Sequence, residues 1–241
     1  MADGARNDIT VNGGGTIAPG TYENVTINGG GTVTGDLVCT ALRINGAGTC
    51  QGSVKAAVLT VNGTGNFSGP VQAVDMSVYG NSNVRAGLGV GRLSVRGNLS
   101  IDGGVALHEL DLKGVMRADG DLSARTVRGE GTIEAHDVKA DSFDFAIYGS
   151  SKVRNLEADR VTLRSPGSFA DVFMFFTEKR FTAETIRASE VWAEYTTANV
   201  VSAGNATIGR ESRIGLVNYS GTCSVVDNAQ VTESRKAEPQ A

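Results

Sequence analysis

Apolar residues recur at alternate positions over short runs of the chain, and the whole pattern returns every 17 residues. One column of the repeat holds Val33, Cys50, Phe67, Val84, Ile101 and Ala118, and another holds Leu37, Val54, Val71, Leu88, Val105 and Leu122. A third holds Leu42, Leu59, Met76, Leu93, Leu110 and Val127, followed two residues later by Ile44, Val61, Val78, Val95 and Leu112. Alternation predicts strands with one buried face. The run from Val33 through Gly35 to Leu37 and Cys39 reads as one such strand. On that reading the column Gly35, Gly52, Gly69, Ala86, Gly103 and Gly120 faces an interior too tight for a side chain. Leu42 and Ile44 open a second, shorter strand. Between the two lie corners at Gly29, Gly46, Gly63, Gly80, Gly97 and Gly114, where glycine permits backbone angles closed to other residues.

A 17-residue unit cannot bury its own apolar face, so successive copies must stack. The expected fold is an all-β, single-stranded parallel β-helix, a β-solenoid of about 17 residues per coil. A right-handed coil is expected from the handedness of parallel crossovers. The first circuit is one residue shorter, since Ile9, Val11 and Gly13 lead to Gly29 after 16 residues. Beyond Gly114 the register is ambiguous, because both Gly129 and Gly131 can be matched to it. The expected organisation is an N-terminal tail over 1–8, regular coils over 9–164, a Phe-rich insertion over 165–180, further coils over 181–232, and a disordered polar tail over 233–241.

Composition narrows the function classes. Glycine is abundant at 32 of 241 residues but falls at fixed positions, and proline numbers only 4, which excludes collagen-like and disordered chains. A net charge of −4 offers no electrostatic footprint for nucleic acid. The N-terminal residues lack the apolar stretch of a signal peptide, so a cytoplasmic location is expected. Cys39, Cys50 and Cys223 form no CxxC pair and read as small core residues. His108 and His136 stand on separate coils with no triad or metal-ligand spacing, and Glu134, Asp137, Asp141 and Asp144 read as a solvated face. Thr32, Thr49, Asn66, Asn83 and Ser100 align as a stabilising polar ladder. No enzyme activity, metal or cofactor is expected; a β-helix enzyme acting on carbohydrate or acyl groups is the competing class, and a non-polymerising binding platform a third.

The candidate sites lie where the period fails. An end coil exposes backbone groups and apolar side chains that need a cap or offer a template. Ile9, Val11 and Ile17 at one end and Val225 and Val231 at the other are the expected polymerisation surfaces, the alternative being that the tails cover them. The insertion carries Phe169, Phe173, Met174, Phe175 and Phe176, followed by Lys179 and Arg180. Aromatics beside cations suit a bilayer interface. They suit equally a partner's apolar patch, self-association, or packing back on the solenoid, so peripheral membrane contact stays one reading among these.

The unit Val25-Thr-Ile-Asn-Gly-Gly-Gly-Thr-Val-Thr-Gly-Asp-Leu37 and its successor Leu42–Val54 resemble the bactofilins, polymer-forming cytoskeletal proteins of bacteria. Tyr148-Gly149, the Phe-rich insertion ending in Lys179-Arg180, and Ala193-Glu-Tyr-Thr-Thr-Ala-Asn-Val-Val201 resemble the longer bactofilin-like proteins of endospore-forming Gram-positive bacteria. The resemblance implies a right-handed β-helix assembling end to end into nucleotide-independent filaments, a homopolymer that organises envelope or motility machinery. Typical members carry a short central domain and an N-terminal membrane-targeting peptide; here the solenoid is long.

Overall fold

The computed structural model describes residues 7–165 and 179–237. Every regular element among them is a strand: β1 (Ile9–Ile17), β2 (Gly20–Val33), β3 (Leu37–Cys50), β4 (Val54–Phe67), β5 (Val71–Val84), β6 (Leu88–Ile101), β7 (Val105–Ala118), β8 (Leu122–Ser123), β9 (Thr126–Ile147), β10 (Ser150–Arg164), β11 (Arg180–Ala193), β12 (Thr196–Ile208), β13 (Arg213–Tyr219), β14 (Cys223–Val225) and β15 (Gln230–Lys236). The chain divides into two compact units. The first takes in the chain up to Leu110 together with Gly114–Gly120, and the second Asp111–Lys113 together with the chain from Asp121.

In the first unit each strand occupies nearly a full coil and pairs in parallel with its copy in the next. Leu37, Val54, Val71 and Leu88 are successive partners, as are Ile27, Ile44, Val61, Val78 and Val95. The first coil is short, as the sequence predicts: Ile9 pairs with Val25 and Val11 with Ile27. The aligned apolar residues are the core, with Ile27, Ile44, Val61, Val78 and Val95 all at 0% exposure. A β-solenoid is therefore the architecture.

Glycine marks two different corners of each coil. Gly29, Gly46, Gly63, Gly80, Gly97 and Gly114 have φ between 113° and 152°, a region where a side chain is strained. A Cβ at Gly63 would also lie 2.3 Å from the Gly46 carbonyl oxygen in the coil beneath. The second corner corrects the expectation for the Gly35 column. Residues 34–36 and 51–53 fall between strands, and Gly35 and Gly52 are half-exposed rather than interior. A Cβ at Gly52 would strike the Gly35 carbonyl carbon at 2.4 Å and the Asp36 nitrogen at 2.5 Å. What is tight is the backbone of the neighbouring coil, not the core. The interior glycines are Gly31, Gly48 and Gly65, over which Ile27, Ile44 and Val61 fold their branched ends. Farther along, Ser82, Leu99 and Met116 occupy this column, each about 1% exposed.

Polar side chains stack on the same spacing. Asn28 Nδ2 donates to Asn12 Oδ1 at 3.0 Å, Asn45 to Asn28 at 2.9 Å and Asn62 to Asn45 at 2.9 Å. Asn83 donates to Asn66 at 3.1 Å within the Thr32–Ser100 column.

The second unit keeps the parallel architecture with unequal coils. β10 pairs with β9 at an offset of 18 residues, as in Lys152 with Glu134. β11 pairs with β12 at 15, as in Phe181 with Thr196. Both ambiguous glycines are used: Gly129, at φ 153°, stacks on Leu112, and the Gly131 carbonyl accepts from the Tyr148 N–H at 3.1 Å. β10 and β11 pair across a 30-residue offset, Val161 with Val191, so the ladder continues on either side of the insertion. Phe143, Phe145 and Phe181, all 0% exposed, fill the centre of this unit, with Phe143 5.9 Å from each of the other two rings.

One boundary is corrected. The polar tail expected from Glu233 is strand as far as Lys236, with Glu233 paired to Leu216 and Ser234 to Val217. Parallel pairing uses backbone groups that every residue but proline carries, so a polar sequence does not forbid it.

Candidate functional site

The candidate surfaces are the strand edges at which coil stacking stops. In the first unit that edge is β1, which pairs only with β2 among the described residues. Asp8 secures its start by accepting from the Asn24 backbone N–H at 3.1 Å and from Asn24 Nδ2 at 2.8 Å. Ile9 and Val11 are half-exposed, whereas Ile17 is at 0% exposure with its carbonyl accepting from the Thr34 N–H at 3.0 Å. Ile17 therefore belongs to the core, and Ile9 and Val11 supply the apolar surface of this edge.

In the second unit stacking stops at β14 and β15. β14 pairs with β12, which places Val225 over Ile208, and β15 pairs with β13, which places Val231 over Ile214. Val225 remains 46% exposed although it continues a column that is fully buried at Ile208. A concavity of about 500 Å³ lies beside it, lined by Val225, Ala229, Val231, Glu233 and Ser234 among others. Glu233 and Ser234 stand where the coil beneath has Leu216 and Val217, so this end is only partly apolar.

Of the insertion, Phe169, Phe173, Met174, Phe175 and Phe176 lie outside the described residues. Lys179 and Arg180 are described and half-buried. The Arg180 N–H donates to the Gly149 carbonyl at 3.1 Å and its guanidinium to Thr197 Oγ1 at 3.0 Å, which seats the start of β11. The described residues include no helix long and apolar enough to cross a membrane.

The carboxylate-rich face is ion-paired coil to coil. Arg154 grips Asp137 through two bonds of 2.9 Å, Arg125 lies 4.0 Å from Asp141, and Arg164 pairs with Asp144. No group of three or more His, Cys, Asp or Glu side chains among the described residues is placed to hold a metal ion. Hydrogen bonds from Arg154 and then Asn155 hold the Asp137 carboxyl down at about 2, against an ordinary value of 3.8. A depressed carboxyl stabilises the fold above its ordinary value and loses that contribution as pH falls through the folded one. NMR titration should find Asp137 ionised down to about pH 2, and Arg154→Ala should return its midpoint toward 3.8.

Burial pushes the Cys39 thiol up to about 11 and the Cys50 thiol up to about 12, and raises that of Cys223 as well. The thiolate is the reactive form. A thiol reagent at neutral pH should therefore label Cys223, the half-exposed one, first, and reach Cys39 and Cys50 only on unfolding. Mass mapping of the labelled protein checks the order.

Two features are not evident from the sequence. The Asn12–Asn62 ladder is visible in the sequence as a spacing, but Asn before Gly reads first as a turn signal. Trp192, the one tryptophan of the chain, stands 46% exposed between Thr162 and Thr207 on neighbouring coils, and no periodicity marks an outward aromatic.

Comparison with known proteins returns no match: no family model matches the chain, nor does any curated protein or any solved structure.

Proposed function

We propose that the chain is a self-assembling scaffold, a cytoskeletal protein of the bactofilin kind, whose copies join through the open strand edges of their end coils. The observation that carries this reading is the edge itself. β1 offers nine residues of parallel strand, paired on one side only among the described residues and flanked by half-exposed Ile9 and Val11. Such an edge is a template for another strand, and natural folds usually blunt it with charge, proline or a covering element. From Ile9 to Ile17 there is neither charge nor proline. Val225, exposed at the top of a buried column, adds apolar surface at the β14 edge, beside a β15 that carries Glu233, Arg235 and Lys236. The resemblance of the repeat to bactofilins supports the same reading. Assembly on this basis is passive: backbone hydrogen bonds and apolar burial join the coils, with no nucleotide, cofactor or nucleic acid involved.

Negative-stain electron microscopy of the purified chain without nucleotide is the test. Filaments are expected, and Val11→Lys or Val225→Lys should shorten them by placing a charge on the joining face. A monodisperse particle of one chain, or filaments indifferent to both substitutions, would overturn the reading.

A further inference from the structure

We propose that Asn12 is a spontaneous modification site, at which the backbone nitrogen of Gly13 converts the Asn12 amide to aspartate and isoaspartate, while the equivalent asparagines in the coils above are protected by stacking. The chain carries four Asn-Gly dipeptides, at Asn12, Asn28, Asn45 and Asn62, and they form one vertical ladder. Glycine after asparagine lets the next backbone nitrogen approach the side-chain carbonyl carbon, because no Cβ stands in the way and the backbone is free to turn.

The chemistry is closed. The Gly13 nitrogen attacks Asn12 Cγ and forms a C–N bond. The Cγ–Nδ2 bond breaks, and Nδ2 leaves as ammonia carrying the former Gly13 amide proton. Water then adds to one of the two carbonyls of the resulting succinimide, and ring opening gives aspartate or isoaspartate. Two conditions are needed: the backbone must rotate out of its extended form, and water must reach the corner.

The inner three sites fail the first condition while folded, whatever their access to water. β2, β3 and β4 are each paired on both sides. Each side-chain amide of Asn28, Asn45 and Asn62 donates to the asparagine beneath. The corners are closed as well: the positions a Cβ would take at Gly29, Gly46 and Gly63 lie 2.7, 2.4 and 2.3 Å from the carbonyl oxygen of the glycine below.

Asn12 differs in its stacking. Like Asn62 it is exposed, but among the described residues its strand is paired only with β2 and nothing lies within 4 Å of the Cβ position at Gly13. Its Oδ1 accepts from Asn28, but among the described residues no asparagine lies beneath to take its own Nδ2. Opening an edge strand costs far less than opening a coil held on both faces. The product matters because it changes the edge. Either product adds a negative charge between Val11 and Gly13, and isoaspartate also lengthens the backbone and breaks the Gly13–Gly29 register. Loss of assembly with age is a consequence that rests on the scaffold reading; the modification itself does not.

The test is peptide mass mapping of the intact folded chain, held in mildly alkaline buffer at a dilution where microscopy shows no filaments, with enzymatic isoaspartyl methylation as a second readout. Asn12 should convert about tenfold or more faster than Asn28, Asn45 or Asn62, a gap that closes when the same chain is incubated in denaturant. Asn12→Gln should remove the methylation signal from the folded protein. Equal rates at Asn12 and Asn45 in the folded chain, or methylation undiminished in Asn12→Gln, would overturn the proposal. If Asn12 converts and aged protein still assembles like fresh, the site stands and the role of β1 in assembly falls.

Discussion

Gly97→Ala should lower the stability of the first unit by about 3–5 kcal/mol, because two independent costs fall on one methyl group. Gly97 has a φ of 147°, in the region reserved for glycine. Its Cβ would also sit 2.1 Å from the Gly80 carbonyl oxygen and 3.0 Å from the Gly80 carbonyl carbon and nitrogen, so the obstacle is backbone and cannot swing aside. Gly97 is in turn the floor for Gly114, whose Cβ position lies 2.1 Å from the Gly97 oxygen. Moving the corner to make room would therefore disturb the coils on both sides. Gly89→Ala is the matched control in the same strand. The nearest atom to its Cβ position is the flexible Gln72 Cγ at 3.9 Å, and its φ is not in the forbidden region. Removing unfolded-state freedom there should be neutral to stabilising by about 0.5–1 kcal/mol. Denaturant midpoints of the two variants decide the matter: if Gly97→Ala unfolds no earlier than Gly89→Ala, close stacking of the corners is not what the glycine column provides.

That pair also shows what the sequence could and could not disclose. The Gly29–Gly114 column is legible because a fixed 17-residue return has one simple physical cause, the same corner stacked on itself. The Gly35 column was misplaced because alternation counts residues and not angles. Val33, Gly35 and Leu37 alternate in sequence whether the chain runs straight through Gly35 or turns there, and glycine suits a tight interior and a tight stack equally. In the second unit the offsets run from 15 to 18, and 30 across the insertion, so equivalent residues no longer fall on one period. Buried columns there are set by pairing that the sequence does not reveal. The end edges were legible as a topological necessity, since a stack of coils must stop somewhere. Which side chains they present was not: Ile17 and Ile9 are alike in sequence, yet one is sealed under the corner at Thr34 and the other faces outward.

Phe143→Ala is expected to be the most damaging substitution in the second unit, with a loss of about 3–5 kcal/mol. The Phe143 ring is fully buried and touches two others, Phe145 at an interplanar angle of 40° and Phe181 edge-on at 68°. The three rings come from different columns. Phe143 continues into Val161, Phe145 into Leu163, and Phe181 lies between the small buried Ser151 and Thr196. Phe181 thus fills space that small residues leave in the coils on either side, and backbone pairing fixes where each ring stands. A cavity left at Phe143 cannot close by sliding a strand, because a shift along the ladder would turn every inward side chain outward. Phe143→Leu, which keeps most of the volume, should cost markedly less, on the order of 1–2 kcal/mol. Comparing the two variants by chemical denaturation separates loss of volume from any wider disruption. Near-equal losses would mean that the ring contacts, rather than the filled space, hold the centre of this unit.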